Sequence, residues 1–236
     1  MLELHPNQLG YPLLSLMIFL PVLGAFLLLF IRNAATARWI ALAFSLVEIV
    51  LCIPLLVNFD TSIPHMQFGE SIPWIGAWDI NYTLGVDGIR ILFVALTTLL
   101  TTISIMVSWT AIQDRVREFM VAMLFLEAAI IGVFLSLDLL LFYIFWEAML
   151  IPMYLLIGVW GGPNRLYAAV KFFLYTLVGS VLMLIAIIAV YFAAGHTFDV
   201  LAIMNHKFGY TFQLWAFAAF FAAFAVKVPM FPVHTW

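Results

Sequence analysis

Seven apolar runs, most of them close to the ~20 residues an α-helix needs to cross ~30 Å of hydrocarbon, dominate this chain of 236 residues. They leave it few folds to choose from. Backbone groups facing lipid must be satisfied within their own segment, and runs this long favour helices over barrel strands. The expected fold class is therefore all-α, a polytopic transmembrane helix bundle. Composition agrees: 67% hydrophobic and 9% charged residues, with a mean hydropathy of +1.17, exclude an ordinary soluble globule. A net charge of −3 gives no argument for nucleic acid or an acidic partner. The one cysteine, Cys52, sits inside an apolar run and reads as a packing residue, so disulfide frameworks, thiolate metal sites and iron–sulfur clusters have no ligands here. The stretch before the first run, LELHPNQLGYP, is short and acidic rather than basic, so insertion is expected to use the first helix itself.

In chain order the expected spans are Pro12 to Ile31, Trp39 to Val57, Ile89 to Trp109, Phe119 to Leu137, Leu139 to Gly162, Leu166 to Ala194 and Thr211 to Val228. A basic link, Arg32 to Arg38, joins the first two as antiparallel neighbours. Asn58 to Asp87 is the longest polar stretch; it holds Asp60, Glu70, Asp79 and Asp87 without Lys or Arg and suits an interfacial loop with a short hairpin. QDRVRE, Gln113 to Glu118, is a charged turn, and His196 to Tyr210 is mixed enough to lie at an interface. A coarse division follows: 1–118 with the first three spans and the acidic outer loop, and 119–236 with the last four. If odd-numbered spans end in the cytoplasm, that side collects Arg32, Arg38, Arg115, Arg117 and Arg165 against Lys207 opposite, which puts the N-terminus outside. Trp74, Trp78 and Trp109 fall near span boundaries and fit an aromatic belt.

Ionisable groups at bilayer depth cost at least ~2.5 kcal/mol on insertion scales, so each is a candidate functional residue with a partner in the bundle. The central one is Glu147, in LLLFYIFWEAMLIPMYLLIGVWGG. Glu127, Lys171 and Lys227 fall within neighbouring spans, while Glu48 and Arg90 are less easily placed. At ~1.5 Å rise per residue Glu127 lies ~12 Å and Glu147 ~17–20 Å from their cytoplasmic ends, both near midplane on helices adjacent in sequence. Two such acids facing each other would compete for protons, and a nearby lysine would favour the carboxylate. A lysine moving between an acid and a second neighbour could therefore take up and release a proton. Lys227 is placed for that role. In VKVPMFPVH, Pro229 and Pro232 remove backbone donors and should interrupt the helix, which is tolerated at membrane depth only beside protein or a hydrated cavity. Lys171 lies within about two turns of a helix end and could snorkel outward. His234 follows the break and is either a proton relay or an interfacial residue. Asp114, Glu118 and Asp138 fall in turns and are expected to be solvated, and Asp87 suits a helix N-cap beside Arg90. The alternative to function is that these charges form static pairs gluing helices together.

FWEAMLIPMYLLIGVWGG, then RLYAAVKFFLYTLVGSVLML and AFAVKVPMFPVHTW, closely resemble the M-type antiporter-like subunit of bacterial respiratory complex I, the proton-pumping NADH:quinone oxidoreductase. LGVDGIRILFVALTTLL is similar to the same subunit's third-span region, so the resemblance covers nearly the whole chain. The WE-x-M-L-I-P-M-Y segment favours the M type over the related L- and N-type subunits and over multisubunit Na⁺(K⁺)/H⁺ antiporters. The resemblance implies a membrane-arm translocase subunit of the bacterial inner membrane, its partners being the L- and N-type subunits, the lipid bilayer and protons. It also implies that Glu147 and Lys227 form a pair coupled to proton transfer, with Glu127 able to assist. NADH, flavin, iron–sulfur clusters and quinone would be bound elsewhere in the complex, with none in this chain. Family members have about fourteen helices in two inverted repeats. This chain reaches only HTW of a motif that continues into Leu-Pro-Asp-Ala-His, so it is expected to be partial, or completed by a second chain. A related antiporter subunit and a structural helix bundle are the alternatives.

Overall fold

The structure, a computed structural model, describes residues 3–236. They form two compact units. The first comprises residues up to Ser71 together with Thr83–Ser136, and the second Ile72–Tyr82 with Leu137–Trp236.

The first unit holds α1 (Leu13–Leu28), α2 (Ala34–Val57), α3 (Arg90–Ala111) and α4 (Val116–Leu135). Helix α1 packs on α4 and α2, and α2 packs on α3 and α4, around a core that includes Leu28, Ala41, Ile105, Met120 and Leu124. Gly24 lets α1 approach α2 closely: a Cβ there would lie 2.7 Å from the Phe44 ring. The N-terminus of α1 has no local cap and is capped from a distance instead. Glu70 accepts the Leu14 amide at 2.8 Å and the Ser15 amide at 3.0 Å, and the Ser15 hydroxyl donates to it as well. Two orphan donors of a helix end are thereby satisfied. Glu70 lies on β2 (Met66–Ile75), the middle strand of a three-stranded sheet with β1 (Leu4–Pro6), which pairs with it in parallel, and β3 (Ile80–Val86). Apart from this small sheet, built from the expected hairpin loop and the N-terminal residues, the regular structure among the described residues is helical.

The second unit holds α5 (Leu139–Ala148), α6 (Leu150–Trp160), α7 (Arg165–Ala193), the short α8 (Val200–Met204) and α9 (Tyr210–Lys227), with the tip of the hairpin. Helix α9 packs chiefly on α7, where Gly179 would bring a Cβ to 3.4 Å from Val226. The segment before and within α8 is strapped to the start of α5 by Leu139 N–H to Phe198 O and Val200 N–H to Leu137 O, both 2.9 Å.

Among the described residues six helical stretches are long and apolar enough to cross a membrane, with α5 and α6 counting as one, and the chain is a multi-pass membrane protein. Outward positions are apolar too, as a lipid solvent requires: Val107 is 69% exposed and Trp215 72%. The expected first span is a helix of only 16 residues, because three successive i→i−3 bonds at Leu29, Phe30 and Ile31 tighten and end it. The second begins at Ala34 rather than Trp39, since the Asn33 side chain accepts the Ala35 amide at 2.8 Å and caps it. Arg38 is therefore helical, not part of a link, and donates to Ile112 O at 2.8 Å.

Asp138 corrects a second expectation. It is 1% exposed, not solvated, because its carboxylate caps α5 through the amides of Leu140 (2.9 Å) and Leu141 (3.0 Å) and also accepts the Asn81 amide at 3.1 Å. Burial lifts its carboxyl above the ordinary carboxylate range and Asp199 adds to that, while the three amides oppose it. A carboxyl lifted on folding contributes stability that is fully present below its unfolded range, ~3.9, and lost as pH rises through its folded range. Asp138→Ala should cost about 1–2 kcal/mol through the lost cap, and Asp138→Asn, which keeps an acceptor for α5, should cost less and remove this pH-dependent part. Thermal unfolding of the three proteins in lipid across a pH series checks both.

Candidate functional site

The sequence-expected acids and lysines sort into two groups, one in each unit. In the second unit Glu147 sits one residue before a break in its span. Helix α5 stops at Ala148 and α6 starts at Leu150 because Pro152 has no N–H to give the Ala148 carbonyl and its ring crowds that carbonyl. The flanking bonds, Met149 N–H to Phe145 O and Met153 N–H to Met149 O, are long at 3.3 Å.

Lys227 is the last residue of α9, with Val228 as its C-cap and Pro229 next. Here Val228 N–H bonds Phe224 O and Met230 N–H bonds Ala225 O, both at 2.8 Å. Both members of the pair thus sit where a helix ends.

Glu147 and Lys227 interact electrostatically, yet Oε1 of Glu147 and Nζ of Lys227 are both buried without a hydrogen-bond partner. Instead, Nζ lies 4.9 Å from the centroid of the Trp146 ring, the residue before the acid. Trp146 is itself buried and fixed edge-on against Phe224 at 5.4 Å. The ammonium is therefore held over an aromatic face beside its carboxylate rather than closed onto it. Tyr143, one turn before Glu147, interacts with Glu147 and with Ser180 of α7.

Lys171 of α7 donates to the Thr235 carbonyl, and Trp236 packs its ring on Phe172 at 4.9 Å while its Nε1 donates to Val226 O at 2.7 Å. The segment after α9 is so tied back onto α7 and α9. His234 is exposed against Phe231 at 5.7 Å and is not among the groups acting on Lys227.

Glu127 belongs to the first unit, on α4, and is 0% exposed. Its electrostatic neighbour within that unit is Glu48 of α2, also 0% exposed. Arg90 and Asp87 behave as a helix start: Asp87 Oδ1 accepts the amides of Ile89 (2.9 Å) and Arg90 (2.8 Å), and the Arg90 guanidinium donates to Ser136 O at 3.1 Å.

Sequence reasoning assigned Trp146 no role, because an aromatic in an apolar run looks like packing; its place directly before a buried acid was the signal available. Glu48 obeyed the same cost rule as Glu127 and deserved equal weight.

A cation over an aromatic face at a desolvated site is worth about 2 kcal/mol, less where water reaches it. A double-mutant cycle of Trp146→Leu and Lys227→Met, read by thermal unfolding in lipid, should give a coupling of about 1–2 kcal/mol. A coupling near zero would show that the ring does not hold the ammonium.

Residues 136–236 match the family model described as the NADH:quinone oxidoreductase/Mrp antiporter transmembrane family. The chain is 47% identical to NADH-quinone oxidoreductase subunit M of Rhodobacter capsulatus over 95% of its own length and 47% of that protein's. It is 46% identical to NADH-ubiquinone oxidoreductase chain 4 of Arabidopsis thaliana, covering 94% of this chain and 46% of that one. The chain thus spans about half the length of these relatives. A chain of respiratory complex I from Thermus thermophilus with bound NADH superposes with a TM-score of 0.84 at 29% identity, covering 94% of this chain and 45% of that chain. Along nearly its whole length the chain is thus similar in sequence to about half of proteins named NADH-quinone oxidoreductase subunit M and NADH-ubiquinone oxidoreductase chain 4, and in fold to part of a respiratory complex I chain.

Proposed function

We propose that this chain is part of a membrane-arm subunit of a proton-pumping NADH:quinone oxidoreductase and moves protons across the membrane while electrons pass from NADH to quinone in other subunits. The observation that carries the reading is the open Glu147–Lys227 pair, two half-buried side chains each with a buried polar atom that no hydrogen bond reaches, set at two helix ends. A static glue pair would be closed, since a buried ion pair offsets its desolvation only with good geometry and satisfied hydrogen bonds. An open pair keeps a choice.

In this mechanism a conformational or electrostatic signal from quinone reduction closes or opens the gap between Lys227 and Glu147. At an effective dielectric of ~20, two unit charges at 4 Å interact by about 4 kcal/mol, enough to shift proton occupancy by orders of magnitude when the pair separates. With Glu147 engaged, the ammonium keeps its proton; drawn back over Trp146, it can release it to an acceptor along a hydrated path. Lys171 and His234 are the candidate relays on that path, and Glu127 is a further proton-transfer candidate in the other unit. NADH, flavin, iron–sulfur clusters and quinone are assigned to the rest of the complex, together with the related L- and N-type subunits as partners. The membrane is the bacterial inner membrane, with the N-terminus outside.

One observation supports a second reading. The matching family model covers Mrp antiporters as well, and a cation/proton exchanger would use the same acid and lysine. The two differ in what drives transport. In vesicles carrying the intact complex with the full-length subunit, Glu147→Gln should abolish NADH-driven proton uptake and slow NADH:quinone turnover while the complex still assembles. Undiminished pumping by the assembled variant would reduce Glu147 to a structural charge. Transport driven by a Na⁺ or K⁺ gradient without NADH would favour the exchanger.

A further inference from the structure

Glu48 has no role in the reading above, and its surroundings are unusual. Helix α2 buries one stripe, Ala37, Ala41, Ser45, Glu48, Cys52 and Leu55, three or four residues apart and hence on one face. In the middle of that stripe the side chain of Glu48 is 0% exposed. Neither of its oxygens has a hydrogen-bond partner, and the same is true of both oxygens of Glu127 on α4, against which α2 packs. The two carboxyl groups act on each other electrostatically.

The neighbouring helices supply nothing to neutralise them. Helix α1 carries no ionisable residue. The one charged residue of α3 is Arg90, engaged with Asp87 and Ser136 O. On α4 the remaining charges, Arg117 and Glu118, bond each other at its start. Cys52, one turn from Glu48, is a buried thiol. Among the described residues there is no group of three His, Cys, Asp or Glu able to hold a metal ion. An ionised carboxylate buried without a partner costs several kcal/mol, so in water-free surroundings the group takes a proton instead. A structural acid would show its hydrogen bonds; four unbonded oxygens in one helix seam do not look structural.

We propose that Glu48 and Glu127 together form a proton-binding site within the α1–α4 unit, separate from Glu147 and Lys227, at which a proton taken from the aqueous phase is held by one carboxyl and can pass to the other carboxylate. The step balances with a single proton: one O–H bond breaks on the donor acid as one forms on the acceptor. Glu48 becomes a proton-transfer residue on a helix for which the Glu147–Lys227 pair needs none. The inference does not rest on that pair, because it is read without NADH turnover.

The test is infrared difference spectroscopy between pH values, in H₂O and D₂O, on the full-length subunit in its complex, reading the C=O stretch of protonated carboxylic acids. Wild type should show acid bands that shift in D₂O and respond to pH; Glu48→Gln should remove the Glu48 component and leave that of Glu127. Glu127→Gln should keep a Glu48 band but move its titration midpoint by about one pH unit or more, as for two sites titrating as a pair. Should Glu48→Gln fail to assemble, Glu48→Asp retains an acid and should keep a displaced band. A spectrum indifferent to Glu48 substitution, bands that neither exchange nor respond to pH, or a midpoint unmoved by Glu127→Gln would each overturn the proposal.

Discussion

Burying an ionisable group where neither water nor a hydrogen bond reaches it is the costliest thing this chain does, and the Glu48–Glu127 seam is where it does so completely. Glu147, Lys227 and the Glu48–Glu127 seam all keep unbonded polar atoms inside helix bundles. Each would be replaceable by an apolar residue if stability were the only requirement. They persist beside well-packed cores, so the stability for the fold comes from elsewhere: the α1–α4 and α7–α9 contacts, where small residues let helices close.

Outside the helices the acids have a different use. Glu70, Asp87 and Asp138 each accept backbone amides at the start of a helix: α1, α3 and α5. Helix starts carry unsatisfied donors and positive partial charge, so a carboxylate there is stabilising in itself. The acidic interfacial loop thus supplies two caps, Asp87 to the helix that follows it directly and Glu70 to a helix start 55 residues away. The two hairpin strands, β2 and β3, belong to this arrangement, since they carry Glu70 and bring Asn81 to Asp138.

The pair at the centre of the proposed function also depends on helix ends. Pro152 and Pro229 each leave a carbonyl without its usual donor, one beside Glu147 and one beside Lys227. A regular helix would hold both side chains rigidly; an interrupted one gives the backbone freedom near the charge. Trp146 then supplies an alternative resting place for the ammonium that is weaker than a closed ion pair.

The helical class of the fold and its multi-pass character were legible in the sequence, because lipid imposes one backbone solution; a charge in an apolar run such as Glu127 stood out by its cost, whereas the buried Asp138, in a turn, did not. Helix starts were less legible. Asn33, and the carboxylate of Glu70 acting from 55 residues away, set boundaries that apolar content does not mark. Nor could spacing alone decide which acid meets which charge. Glu127 and Glu147 are neighbours by helix order, yet it is Glu48 that shares a unit with Glu127, and Trp146 that shares Lys227 with Glu147. Partition into the bilayer depends on composition summed along a segment, which the sequence contains; partnership depends on the rotation of each helix about its axis, which only packing in three dimensions decides.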